Sequence, residues 1–364
     1  MNLEPRAPHP SELKGLVHFL NQELRHHCDW SIQQEYPSVF SQKNLHNLTI
    51  IADDDKILSH AATTHLILKN VVGIFKAVAL GSVVTNQSSR RQGYSSKVIE
   101  TTLQKATASG ADFAILWAEI YDFYRKLDFE LAGQENNFLI EPSKLQSITS
   151  THRVHKGANV DPAAILRLYM KHTVGAVRTL EDIREYLKIP NSNVYTLWDK
   201  SNQLKAYLVE GKGADLSKYV HEWGGDVDSI LELLKHVSSE QGEISFLTGP
   251  QSQGLNRRLT DLGLVNREGF LGMIRILNPD KFFPKITRYA QALGHEEFLL
   301  EYKEGLYYFG KANQLFKTDS HADIVRLIFG PQKASQLHQF DDESKEMLEA
   351  IFPLPFWFWG WDSI

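Results

Sequence analysis

Apolar positions at helical spacing open the chain. Leu13, Leu16, Val17, Phe19, Leu20 and Leu24 fall on one face over residues 11–24, with Pro10 and Ser11 at the start, and predict an amphipathic helix. Residues 48–52 are a short apolar run, Asp53, Asp54 and Asp55 an acidic turn, and residues 57–68 a second apolar run, which together predict two strands joined by a turn. A longer apolar run covers 73–85. Residues 86–93 (NQSSRRQG) then carry no apolar side chain. Helical spacing resumes over 95–107 through Val98, Ile99, Thr102 and Leu103. Residues 113–117 read as a buried strand, 121–127 as a short helix, and Phe129 begins another strand.

The same order returns in weaker form. Residues 161–172 predict a helix with Asp161 as N-cap and Pro162 at its first position. Strands follow at 194–198 and 204–210, a helix at 228–237, a strand at 244–247 and a helix at 255–262. TIIADDDKIL (49–58) parallels YTLWDKSNQL (195–204), and FYRKLDF (123–129) parallels RLTDLGL (258–264). An internal duplication accounts for both matches, although the second copy has no counterpart of SSRRQGY. From about residue 273 the pattern changes. Strands are predicted at 306–309 and 315–317 around a Gly-Lys-Ala-Asn turn, and a helix at 319–329 stopped by Gly330. The chain ends PLPFWFWGWDSI, with three of its seven tryptophans. Three units follow: residues 1–150, 151–274 and 275–364.

Composition narrows the function classes. A chain of 364 residues exceeds one ordinary core. Its 39 Lys and Arg against 44 Asp and Glu give a net charge of −5, which argues against a nucleic-acid binder. The single Cys28 allows no disulfide framework and no cysteine zinc site. The start, MNLEPRAPHP, has no apolar core of a signal peptide, and no run of about 18 apolar residues predicts a membrane span. A cytoplasmic protein is expected. His26, His27 and Cys28 do not predict a metal site, because neighbours on a helix point about 100° apart.

The chemistry concentrates in VVTNQSSRRQGYSS (83–96). A strand ends, a basic polar turn follows, then a glycine, then a helix. The first turn of a helix has unpartnered N–H groups and the positive end of the dipole, a site suited to a pyrophosphate. Gly93 lets the main chain approach closely, and Arg90 and Arg91 add charge and shape the turn. This segment resembles the acyl-CoA motif of the GNAT N-acetyltransferases, Arg/Gln-x-x-Gly-x-Gly/Ala, read here as Arg90-Arg91-Gln92-Gly93-Tyr94-Ser95. Ser95 departs from the usual Gly or Ala, and Gln87 stands where a proline is common. The family's Phe-Tyr-x-x-hydrophobic-Gly-Phe segment looks like Phe123 to Phe129, with Asp128 in place of Gly. Two tandem units of this kind with a third, sterol-carrier-like domain are similar to the enhanced intracellular survival protein group, whose members acetylate amines of aminoglycosides and other compounds.

The resemblance implies an α+β fold: two tandem GNAT-like units, the second degenerate, and a C-terminal sterol-carrier-like α/β domain. It implies acetyl-CoA as co-substrate, a small primary amine as acceptor, and no metal. The implied cofactor contacts are Val83, Val84, Thr85, Arg90, Arg91, Gln92, Gly93, Tyr94, Ser95 and Ser96, with an oxyanion donor among the main-chain N–H groups of Val83, Val84 and Thr85. Tyr124 is the implied general acid toward the leaving thiolate, and Tyr121 its substitute if the register shifts. The strand at 74–84 holds no carboxylate. The resemblance to the three-domain group, whose free C-terminal carboxylate enters the active site as base, implies that role for Ile364, with Glu119 the competing carboxylate. The aromatic tail suits burial in a cleft, or completion of a core or subunit contact. Leu259 stands in the place of Tyr124 in the second unit. Two rivals remain: a non-catalytic CoA-binding or scaffold protein, and the tandem enzymes that move amino acids from tRNA to peptidoglycan precursors, which lack the acyl-CoA turn. Self-association is left open.

Overall fold

Local hairpins build the first sheet of this protein, for which a computed structural model describes residues 3–54, 56–311 and 314–364. Asp55 of the acidic turn, and Ala312 and Asn313 of the turn after Gly310, lie outside the described residues. Leu48–Asp53 pairs antiparallel with Lys56–Lys69, which pairs in turn with Ile74–Thr85. Helix Tyr94–Ala108 then carries the chain back to Phe113–Leu116, which runs parallel to Ile74–Thr85. Parallel neighbours require such a crossover. Val98, Ile99, Leu103 and Ala106 form the face that the helix buries.

The second sheet repeats the plan. Asn193–Trp198 and Leu204–Lys212 form a hairpin, Asp215–Gly225 joins it, and helix Val227–Gln241 crosses over to Ile244–Thr248, parallel to Asp215–Gly225. The first matched pair therefore falls on the opening hairpin of each sheet, and the second on helices Tyr121–Arg125 and Gln253–Asp261 and the turns after them. Asp161 caps its helix through Ala163 N–H, and Pro162 takes the first position, as the sequence predicts. Each sheet has seven strands among the described residues.

One feature is invisible to hydrophobic patterning: the two sheets exchange strands. Glu135–Ile140 lies in the second sheet between Ile244–Thr248 and Val265–Gly269. Gly272–Ile276 lies in the first, between Phe113–Leu116 and Glu130–Ala132. Periodicity identifies a strand but not its partner. The segment around His152 and His155 is a further edge strand, Arg153–Lys156, on the second sheet. His152 Nδ1 lies 2.7 Å from Glu232 Oε2.

The third region sets helix Pro279–Ala292 against a three-stranded sheet, Phe298–Lys303, Leu306–Lys311 and Gln314–Thr318. Helix His321–Phe329 is capped by Ser320 and ends at Gly330. From Phe352 the tail returns between the two large sheets. Phe356 and Phe358 meet Phe113 of the first sheet, while Trp359 meets Trp223 of the second. Extended backbone turns alternate side chains to opposite sides, so four consecutive aromatics reach both sheets and join them in one core. Each is buried, worth roughly 1.5–3 kcal/mol for a phenylalanine-sized side chain.

Glu135, at the first exchanged strand, makes no hydrogen bond with its carboxylate among the described residues, and burial raises its pKa to about 7. A carboxyl whose folded pKa exceeds its unfolded value favours the fold at low pH and loses that contribution as pH rises through about 7. Glu135→Gln is expected to stabilise the protein by ~2 kcal/mol at pH 8 and to change little at pH 4. Thermal melts at the two pH values check this, and equal shifts at both would contradict it.

Candidate functional site

The polar turn after Ile74–Thr85 folds as a strand-to-helix junction. Gly93 is the N-cap of helix Tyr94–Ala108 at φ +79°, a left-handed backbone that favours glycine. No side chain caps this helix, and the space a Cβ would occupy at Gly93 is open. Arg91, itself at φ +64°, is exposed and has no hydrogen-bond or ion-pair partner among the described residues. Arg90 is committed to the turn: its Nε donates to the Thr85 carbonyl at 3.2 Å, and its guanidinium lies 3.8 Å from Glu23. Gln92 is exposed, while Tyr94 and Ser96 are half-buried. Ser95 has a partner that glycine or alanine would lack. Its hydroxyl lies 2.7 Å from Thr85 Oγ1, which lies 2.8 Å from Ser59 Oγ, so a chain of hydroxyls ties the helix to the strand end.

The corresponding helix of the second sheet, Val227–Gln241, is built differently. Asp226 caps it, accepting from Ser229 N–H at 3.0 Å and from its hydroxyl at 2.9 Å. Burial works to raise the Asp226 pKa, and the bonds from Ser229 outweigh it and hold the carboxyl low. The place a phosphate would take already carries a negative charge.

The strand before the turn has an open edge. Pairing between Ile74–Thr85 and Phe113–Leu116 ends at Ala79 and Ile115, so among the described residues the main chain from Leu80 onward has no sheet neighbour on that side. On the other side, Ser82 and Val83 oppose a single residue, Ala61, in a bulge. Ser82 takes φ +50° there, and His60 Nδ1 lies 2.8 Å from its carbonyl oxygen. Burial lowers the His60 pKa to about 4, so the ring is neutral at neutral pH and its Nδ1–H donates to that carbonyl. The bulge thus holds main-chain groups of Val83, Val84 and Thr85 beside an unpaired edge, next to the Gly93 helix.

Tyr124 projects from helix Tyr121–Arg125 into the cluster that holds Val78, Leu80 and Val98. Phe123 and Phe129 pack edge-on against its ring. Its hydroxyl has no hydrogen-bond partner among the described residues, and burial raises its pKa, so the phenol keeps its proton at neutral pH. Asp128 adopts φ +57°, the left-handed conformation usual for glycine, with its carboxylate 3.6 Å from Arg275. Glu119 is exposed beyond the end of Phe113–Leu116, and Tyr121 is also exposed.

Ile364 ends against the bulged strand. A Cβ placed on Gly81 would collide with the Ile364 oxygen and lie 2.6 Å from its carbonyl carbon. Ile364 packs with Ala62, Val84 and Phe40 on one face of the sheet, and Tyr124 belongs to the cluster on the other. The two approach the same strand from opposite faces. A narrow cleft beside the terminus is lined by Tyr36, Thr64, Glu185, Tyr186 and Trp361. Four residues that hold the tail escaped sequence reasoning: Gly81, Arg178, Lys212 and Asp362. Arg178 follows the apolar run VGAV, and a charge there was the one available signal, whereas Lys212 stands among Glu210, glycines and Asp215 and gave none.

Among the described residues no group of His, Cys, Asp or Glu suited to a metal comes together, and no helix is long and apolar enough to cross a membrane. No curated protein matches the chain in sequence. Solved structures similar to it over nearly their whole length include a probable N-acyltransferase from Enterococcus faecalis V583 (TM-score 0.69, 13% identity, covering 99% of each chain). A GCN5-related N-acetyltransferase from Anabaena variabilis (TM-score 0.69, 14% identity, 98% and 99%) and Eis1 from Mycobacterium abscessus (TM-score 0.63, 11% identity, 99% and 100%) are similar too. Their fold is that of this chain: α+β, with two tandem GNAT-like units and a C-terminal domain. Residues 6–132 match the family profile of the acetyltransferase (GNAT) domain, so the first unit of the chain carries a domain similar to that family.

Proposed function

We propose that the protein transfers the acetyl group of acetyl-CoA to a primary amine of a small molecule by direct attack of the amine on the thioester. The uncapped helix at Gly93 beside an open strand edge carries this reading. In it, the helix N-terminus and Arg91 take the pyrophosphate, Gly93 leaves room for it, and the pantetheine arm lies along the unpaired edge of Leu80 to Thr85. The amine nitrogen bonds to the carbonyl carbon, an N–H of the bulged strand faces the developing oxyanion, and the carbon–sulfur bond breaks. The thiolate takes the Tyr124 proton, and the proton leaving the amine goes to the Ile364 carboxylate. The exposed Glu119 lies outside this arrangement.

Calorimetry with CoA and a thiol-release assay with acetyl-CoA against a panel of amines test the reading. CoA binding with turnover of at least one amine is expected. CoA binding without turnover on any amine would favour a non-catalytic CoA-binding or scaffold protein. Extending the chain by one alanine after Ile364 is expected to abolish most turnover, and unchanged rates would remove Ile364 as the base. Gly81→Ala inserts a methyl group where the terminus lies. It is expected to lower turnover about tenfold while CoA affinity stays the same, because the displaced group is a chain end and not the sheet. An undiminished rate would place the terminus outside the reaction.

A further inference from the structure

The second unit has its own helix N-terminus filled by Asp226, yet it grips the last residues of the chain. Lys212, at the end of strand Leu204–Lys212, is buried. Its Nζ donates to the carbonyl oxygens of Gly360 at 2.8 Å, Trp361 at 3.4 Å and Ser363 at 2.5 Å, and lies 3.2 Å from Ser363 Oγ. One ammonium supplies donors to several acceptors at a point, which bends the tail around it as the short turn Gly360–Asp362. Asp362 accepts from Arg178 Nε at 3.0 Å, and Arg178 makes a two-pronged pair with Glu222 at 2.9 and 3.0 Å. Gly360 lies flat on His221, where a Cβ would meet the ring. All of these grips come from the second unit, whereas the residue they deliver, Ile364, ends on Gly81 of the first. An untied chain end frays.

We propose that Lys212, backed by Arg178, is a positioning residue that sets how far the C-terminal carboxylate reaches into the acetyl-transfer cleft, so that the second unit holds the base of the first. The inference rests on the reading of Ile364 as that base. Lys212 donates to three main-chain oxygens of the tail and acts through where it places Ile364. Burial lowers the Lys212 pKa to about 8, with Asp362 and Asp215 opposing the drop, so the ammonium form that the carbonyls require persists at neutral pH. The role accounts for a degenerate copy that has lost its phosphate turn and keeps a buried lysine at a strand end.

Lys212→Met and Asp362→Asn, made separately in the full chain, test it from both sides of the grip. The first readout is release of Ile364 by a carboxypeptidase, followed by mass spectrometry. Both variants are expected to lose Ile364 at least tenfold faster than the parent, and unchanged release in both would overturn the proposal. The second is thiol release with acetyl-CoA and the best amine of the panel. kcat is expected to fall tenfold or more, with KM for acetyl-CoA within twofold. The third repeats Lys212→Met in a chain lacking Ile364, where the carboxylate is drawn back by about 3.5 Å. No further fall in kcat is expected there. An equal fall in both backgrounds would make Lys212 merely structural and leave Ile364 as the base. If loss of Ile364 leaves turnover untouched, or no amine turns over, the base reading falls and this inference with it.

Discussion

Tyr124→Phe is expected to lower turnover of acetyl-CoA with its amine acceptor by about 10²–10³-fold, the range in which a positioned general acid contributes. CoA affinity should be unchanged, because the phosphate turn and the open strand edge lie elsewhere. The stability effect should be small or slightly favourable. The Tyr124 hydroxyl has no partner among the described residues, and removing an unpaired hydroxyl from a buried ring leaves no orphan behind. Few buried tyrosines combine these properties. Tyr169 donates to the Ala176 carbonyl, and Tyr207 to Glu222, so their phenylalanine variants should lose stability instead. Burial holds the Tyr124 pKa above that of a free phenol, so the proton to be donated stays in place through neutral and mildly alkaline pH. Thiol-release kinetics with parallel melts separate the two effects. Turnover within twofold of the parent would remove Tyr124 as the acid.

Arg178→Met is expected to destabilise the fold by about 3–5 kcal/mol, the usual cost of taking one partner from a buried ion pair. The guanidinium is buried between Glu222 and Asp362, with its face 4.0 Å from the Tyr169 ring centre. Its removal strands two carboxylates in a low dielectric. Burial already raises the Glu222 pKa to about 6 against the pull of Arg178, so the loss should be smaller at acid pH, where Glu222 can take a proton. Combining Arg178→Met with Glu222→Gln should recover part of the loss, since the amide removes one unpaired charge. Urea unfolding midpoints measure both. A single variant within 1 kcal/mol of the parent would mean that the charges are hydrated.

Much of the site's frame was legible along the chain. The run at 73–85, the polar stretch with two arginines and Gly93, and the helical spacing after it predict a strand, a turn and a helix, and these form as Ile74–Thr85, the Gly93 cap and Tyr94–Ala108. Ser95 and Asp128 read as departures from a family pattern. Each has a local reason, a hydroxyl bond to Thr85 and a left-handed helix end. Neither reason shows in the sequence, because it depends on a backbone angle or on a neighbour ten residues away.

Periodicity, caps and turns depend on residues within about one helical turn, so the sequence alone determined the elements, their order, the repeated plan and the strand-to-helix turn at Gly93. Partner choice between strands depends on contacts far apart in the chain. Only tertiary structure decided that Glu135–Ile140 and Gly272–Ile276 would trade sheets, and that Lys212 and Arg178 would face a tail about 150 and 184 residues away. It also decided that Ile364 would end on Gly81. A glycine in an apolar strand is silent until another segment of the chain fills the space its missing side chain leaves.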